Sequence, residues 1–275
     1  MSFKNYLLFF SFFVPLFYCS GVKAQGDLFI NPKRIVFDGH KRAEEISLAN
    51  IGNDTARYLI SFVQIRLKEN GEFEQIEKPD SGQYFAAQNL RIFPRTVTLG
   101  PKETQIIKVQ LYQQEKLAAG EYRSHLFFRG VPLLKPLATA DEKKEQGNVT
   151  VKIIPVFGIS IPVIIKVGQS DTKVMFSNLQ FLPGTKPKVT LTLRRKGNMS
   201  TYGDIDVTYV SLSGKLTKVG TMRGLAVYTP NLLRNIVIEL KSSSEVNFKD
   251  GKLQFSYTDT KNGRTEQLAV AELAL

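Results

Sequence analysis

The sequence predicts an all-β protein built from two successive β-sandwiches, and three observations predict it. Short strand-like runs recur along the 275 residues, set apart by clusters of Gly, Asn, Asp and Pro, and helical periodicity is nearly absent. The strand pattern stops near Lys166–Ser170 and then starts again, which calls for two sets of strands. Between them Val149–Lys166 reads VTVKIIPVFGISIPVIIK, with every odd position from Val149 to Ile165 apolar, the period of a strand with one buried face.

In chain order, the first set opens with Leu28–Ile30, Ile35–Phe37 and Glu45–Leu48. Asn50-Ile51-Gly52-Asn53-Asp54 turns the chain into Tyr58–Leu67, Glu69-Asn70-Gly71-Glu72 follows that run, and Leu99-Gly100-Pro101-Lys102 precedes Gln105–Leu111. Each cluster carries turn chemistry: Gly admits positive φ, Asn and Asp bond their own backbone, and Pro presets φ. Tyr122–Phe128 and the long run bring the set to about seven strands, the number in an immunoglobulin-like domain of about 100 residues. The second set is Val189–Arg194, Gly203–Ser211, Leu225–Tyr228, Asn235–Leu240, Lys252–Tyr257 and Glu266–Leu273, a second immunoglobulin-like sandwich. The predicted division is a signal segment at 1–24, an N-terminal domain at 25–166 and a C-terminal domain at 167–275.

As one strand the run at 149–166 would span about 56 Å, whereas ordinary strands hold about 5–6 residues. It is too long for one core. One part is expected to pack inside the first domain and the other to offer an apolar, hydrogen-bonding edge to another protein, an arrangement that edge strands usually avoid. The segment Pro132–Asn148 leads into it, and its tail Asp141-Glu142-Lys143-Lys144-Glu145 reads as a solvated loop.

The N-terminus predicts export. Lys4 precedes an apolar run from Tyr6 to Tyr18, and Val22-Lys23-Ala24 places small residues at the −3 and −1 positions of a signal-peptidase site, so Gln25 becomes the first residue. The run is shorter than the about 20 residues of a membrane span, and no later segment reaches that length without charges or prolines, so no integral membrane segment is expected. The single cysteine, Cys19, follows bulky Leu16-Phe17-Tyr18, a poor lipoprotein site, and its removal leaves a chain held by its core alone. Loss of Lys4 and Lys23 lowers the net charge from +12 to +10. The basic residues are scattered rather than clustered, which favours solubility and attraction to acidic clients over nucleic acid as a partner.

The residues argue against an enzyme. His40 and His125 are about 85 positions apart, and His125 lies in strand-like YRSHLFF without a nucleophile or acid to complete a site. There is no Gly-x-Ser-x-Gly, His-Glu-x-x-His, Cys-x-x-Cys or Gly-rich phosphate loop in strand–helix context, so neither a metal nor a cofactor is called for. Adjacent acids such as Glu44-Glu45 point to opposite faces of a strand.

Four motifs in the first half, Lys33-Arg34-Ile35-Val36-Phe37-Asp38-Gly39, Asn50-Ile51-Gly52-Asn53, Phe93-Pro94-Arg95 with Leu99-Gly100-Pro101-Lys102-Glu103-Thr104-Gln105, and Gly120-Glu121-Tyr122-Arg123-Ser124-His125-Leu126, resemble in order those of the PapD-like periplasmic pilus chaperones. In the second half Arg195–Asp204, RKGNMSTYGD, looks like that family's Gly-Asn-x-Ser-x-x-Gly stretch. The resemblance implies a boomerang of two immunoglobulin-like domains in the periplasm that caps pilin or fimbrial subunits by lending them an edge strand, with an outer-membrane assembly protein as a further partner. It implies that Val149, Val151 and Ile153 fill the subunit's groove, in a register good to about two residues. It also implies that Arg34 grips the subunit's C-terminal carboxylate, a task to which a guanidinium is suited. The family's accompanying lysine has no counterpart: its place falls near Gly158, with Ser160 two residues on, and Ile161-Pro162-Val163 replaces a more aromatic and basic ending. Lys152 and Lys166 are the nearby cations, and neither is assigned. The competing reading is an exported adhesion or surface-assembly module that uses the same sandwiches without chaperoning.

Overall fold

The computed structural model describes residues 28–39, 41–132, 156–242, 246–261 and 264–275. The predicted signal segment, His40, Lys152 and the predicted groove-filling residues Val149, Val151 and Ile153 lie outside the described residues.

The first sandwich is built from β1 (Leu28–Asn31), β2 (Ile35–Phe37), β3 (Ala43–Asn50), β4 (Ala56–Val63), β5 (Ile65–Leu67), β6 (Phe73–Gln75), β7 (Leu90–Phe93), β8 (Thr96–Leu99), β9 (Thr104–Leu111), β10 (Gly120–Val131) and β11 (Gly158–Val167). One sheet runs β1-β3-β9-β7 and the other β2-β11-β10-β4-β8. Strand alternation makes the core between them: in β9, Ile107, Val109 and Leu111 point inward while Lys108 and Gln110 face water. The chain changes sheets between β1 and β2. Pro32 has no N–H for a ladder, and after it the chain leaves β3 to pair parallel with β11, so that Leu28 and Ile30 enter the core from one sheet and Ile35 and Phe37 from the other.

The predicted run Tyr58–Leu67 is two strands rather than one. β4 pairs with β10 and β8, whereas β5 forms a separate hairpin with β6 around the turn at 69–72. Its apolar residues serve two places: Tyr58 and Ile60 enter the first core, and Leu67 enters a cluster at the junction with the second sandwich.

The second sandwich contains β12 (Lys173–Leu182), β13 (Lys188–Lys196), β14 (Thr201–Val210), β15 (Leu216–Val227), β16 (Leu233–Glu239), β17 (Lys252–Lys261) and β18 (Arg264–Ala274). Its sheets are β12-β13-β16 and β15-β14-β17-β18, closed over Val189, Leu191, Leu193, Val207, Phe255 and Tyr257. The sequence pattern did not disclose β12. A bulge between Ser177 and Gln180, with Asn178 at φ 52°, breaks its alternation. β15 is also longer than Leu225–Tyr228, because its first half carries glycines and polar residues.

A third apolar cluster joins the two sandwiches. Leu67 and Ile164 from the first meet Ala226 and Tyr228 from the second, with Val36 and Tyr202 packed against them.

Candidate functional site

The described half of the long apolar run divides within β11. Ile161, Val163 and Ile165 are buried in the first core. On the same odd-numbered face Ile159 is 39% and Phe157 53% exposed, and Val156 beside them is 50% exposed. β10 runs along one side of the strand as far as the bond from Gly130 N–H to the Phe157 carbonyl, 2.9 Å. On the other side β2 pairs only with Val163, Ile164 and Ile165, which leaves Gly158–Pro162 without a second neighbouring strand among the described residues. The face that makes the core therefore continues past the end of the core along an open edge as far as Phe157.

Arg34 directly precedes β2 and reaches the junction between the sandwiches. Its guanidinium carbon lies 4.2 Å from the centre of the Tyr202 ring, a cation–π stack that occupies its face and leaves its in-plane N–H groups. It is half-buried, and its Nη1 has no hydrogen-bond partner among the described residues. Beside it the parallel register aligns Ile35 with Val163 and Val36 with Ile164, so the level of Arg34 is that of Pro162. The residue beside Arg34 at that level is thus a proline, which carries no charge. Gly158 pairs with Arg129, four residues further up the strand, and Lys166 pairs with Glu121 at the opposite end of β11.

Three polar side chains on β10 face the same junction. Glu121, Arg123 and His125 alternate along the strand and are all buried, although polar groups with this degree of burial require partners. The Glu121 carboxylate accepts from Ser200 N–H at 2.8 Å, from the Ser200 hydroxyl, and from the Thr229 hydroxyl at 3.3 Å. Arg123 donates to the Ile65 carbonyl at 3.1 Å and lies 4.3 Å from the Tyr228 ring centre. Burial lowers its pKa from the ordinary arginine value, against the nearby Tyr228 and Glu121, which raise it. His125 meets the edges of Phe73 and Tyr228, and burial, followed by the charge of Arg123, lowers its pKa to about 3, so the ring is neutral at pH 7.

The motif at 195–204 forms the other side of the joint. Gly197 adopts φ 104°, and a Cβ there would sit 2.7 Å from the Thr172 Cα. Asn198 donates to Asp171 and Gln169, and Ser200 donates to Glu121, so the motif holds both the connecting segment and the first sandwich. Arg195 donates to the carbonyls of Asn231, Gly197 and Met199. The β5–β6 hairpin adds a second fastening: Asn235 N–H donates to the Glu69 carbonyl at 2.7 Å, and Asn231 donates to the Leu67 carbonyl.

Of the sequence-predicted residues, only Arg34 falls at this junction among the described residues. Glu121, Arg123, Tyr202 and Tyr228 were not singled out. For the β10 residues a signal existed: Glu121, Arg123 and His125 at alternate positions make one face of an otherwise apolar strand polar. A cleft of about 610 Å³ between the β5–β6 hairpin and the second sandwich is lined by Asn70, Asn178, Gln180, Thr192, Arg234 and Asn235 among others. Among the described residues, no group of three or more His, Cys, Asp or Glu gathers as a metal site requires, and no helix is long and apolar enough to cross a membrane.

No family model matches the sequence, and no curated protein matches it. Among solved structures the chain is similar to the YadV chaperone, at 12% identity over 91% of this chain and 100% of that one, with a TM-score of 0.44. It is similar to the CupB2 chaperone of Pseudomonas aeruginosa, at 12% identity over 90% of this chain and 100% of that one, with a TM-score of 0.43. It is also similar to a chain of the CsuC–CsuE chaperone–tip adhesion subunit complex of Acinetobacter baumannii, at 13% identity over 90% of this chain and 98% of that one, with a TM-score of 0.44.

Proposed function

We propose that this protein is an exported, periplasmic chaperone that caps pilus or fimbrial subunits by lending them an edge strand, and that it delivers them to an outer-membrane assembly protein. The observation that carries the reading is the open edge of β11, where Phe157 and Ile159 continue the core-facing row of side chains beyond the core. An incomplete sandwich has the complementary need. Its bare strand edge lacks hydrogen-bond partners, and its groove lacks the side chains that a further strand would insert. In this reading Val149, Val151 and Ile153 fill the groove, with Phe157 and Ile159 extending the same face, and Arg34 holds the subunit's C-terminal carboxylate. The ordered motifs from Lys33 to Asp204 support the reading, as does the Nη1 of Arg34, which has no partner among the described residues. The domains are 25–166 and 167–275, following removal of residues 1–24.

The test is co-purification from a periplasmic extract with mass spectrometry of the accompanying proteins, repeated with Val151→Asp and Phe157→Asp. An unpaired carboxylate in an apolar groove is disfavoured by several kcal/mol, whereas on an open edge in water it is not. The expected result is a pilin-type subunit with the wild type and none with the variants, all three melting alike. Recovery in a stable surface assembly without such a subunit would instead identify an adhesion module.

A further inference from the structure

The end of the second sandwich that lies away from the junction gathers lysines that the sequence scatters. β14 starts at Thr201, beside Ser200 and Glu121, and reaches Val210 after ten residues, so the turn at 211–215 stands at that far end. Pairing brings three other places there: Leu182 with Lys188 closes the turn at 183–187, Lys241 N–H donates to the Val219 carbonyl at 2.7 Å, and Val210 pairs with Lys252. Lys186, Lys215, Lys241 and Lys249 are thereby exposed at one end. Glu239 and Glu272, the acids beside them, are paired with Lys188 and Lys252, whereas Lys186, Lys241 and Lys249 form no ion pair among the described residues.

Two leucines stand among these cations. Leu212, at 82%, is the most exposed large apolar side chain among the described residues, and Leu216 is 64% exposed. The turn that carries them closes its backbone on itself. Ser211 N–H donates to the Lys215 carbonyl at 3.0 Å, Gly214 N–H to the Ser211 carbonyl at 2.9 Å, and Lys215 N–H to the Ser211 hydroxyl at 3.0 Å. In water such bonds are optional, but a tip that enters an apolar medium has to bring its own partners.

We infer that this end of the second sandwich docks on the surface of an anionic membrane, with Leu212 and Leu216 entering the headgroup layer and the four lysines set against lipid phosphates. Lipid suits it better than protein for two reasons. A convex tip covers little of a protein face, where a stable interface needs about 800 Å² per partner, whereas a bilayer yields around it. Lysine is depleted in protein interfaces, but its apolar stem and hydrated ammonium fit the boundary between acyl chains and headgroups. The surface uses no residue of the strand-capture reading and goes beyond it.

The experiment uses the protein recovered from a periplasmic extract and vesicles of phosphatidylcholine, with and without phosphatidylglycerol. Sedimentation should show at least about tenfold tighter binding to the anionic vesicles, lost at high salt. Lys186→Gln with Lys241→Gln should weaken it about fivefold per lysine. Leu212→Ser with Leu216→Ser should weaken it about tenfold. Both double variants should melt like the wild type, since all four side chains are exposed. Neither touches β11, so client capture should be unchanged, which keeps this result separate from that of strand capture. The sequence holds no tryptophan, and Leu212→Trp therefore places a single fluorophore at the tip. Its emission should shift to the blue, and be quenched by brominated lipid, with the anionic vesicles alone. Equal binding by the wild type and both double variants would trace the attraction to overall charge or to residues 6–18 and overturns the inference. An emission that the vesicles leave unmoved also overturns it, and leaves the tip to a protein partner.

Discussion

His125 is 3% exposed and is held neutral by burial, with Arg123 as the second cause, so its pKa of about 3 lies far below that of a solvated imidazole. The unfolded chain takes up this proton near pH 6.5 and the folded chain only near 3, so between those values the unfolded state binds more protons and stability falls as the pH drops. The slope is about 1.4 kcal/mol per pH unit. Urea unfolding at pH 7 and pH 5 should show the wild type losing about 2 kcal/mol more than His125→Gln, whose side chain does not titrate. Gly203 is fixed by space: a Cβ there would lie 2.3 Å from the Thr258 carbonyl oxygen, across the β14–β17 pairing. Gly203→Ala should cost about 1–3 kcal/mol in the same assay, and a neutral result would mean that these strands separate easily. Arg34→Ala should change stability by less than about 1 kcal/mol, since among the described residues it removes a half-exposed stack on Tyr202 and leaves no acceptor of Nη1 bare, while client capture is lost.

At the scale of the element, β11 serves two environments along one face, and the division falls between Ile159 and Ile161. Ile159→Asp should melt within a few degrees of wild type, because the carboxylate remains in water. Val163→Asp, at a fully buried position, should unfold the first sandwich or cost it more than about 3 kcal/mol. Circular-dichroism melts compare the two directly, and equal destabilisation would place Ile159 in the core. The strand was legible because its period of two is unbroken. β12 was not, because the bulge at Ser177–Gln180 turns the alternation over part-way and so hides a strand of ten residues from any fixed-period reading.

For the whole molecule, the relation of the two sandwiches depends on a few buried polar contacts as well as on the apolar cluster of Leu67, Ile164, Ala226 and Tyr228. Glu121 gathers two donors from Ser200 and one from Thr229 across the junction. Glu121→Ala leaves these without their acceptor and should cost about 3 kcal/mol. Calorimetry should resolve two transitions where the wild type shows more closely coupled melting. A single transition at the wild-type temperature would assign the coupling to the hairpin at 65–75 and its bonds to Asn231 and Asn235 instead.

The sequence by itself determined the all-β class, most of the strands and the over-long apolar run, because alternation and turn chemistry are local properties that each segment carries within itself. It also marked Arg34, through the motif around it. Only the tertiary structure decided which part of β11 lies in the core, since that depends on where β2 stops pairing. Only it brought Arg123 and His125 to Tyr228, more than 100 residues away in the chain. Contacts of that separation are set by the packing of one sandwich against another, and no local pattern records them.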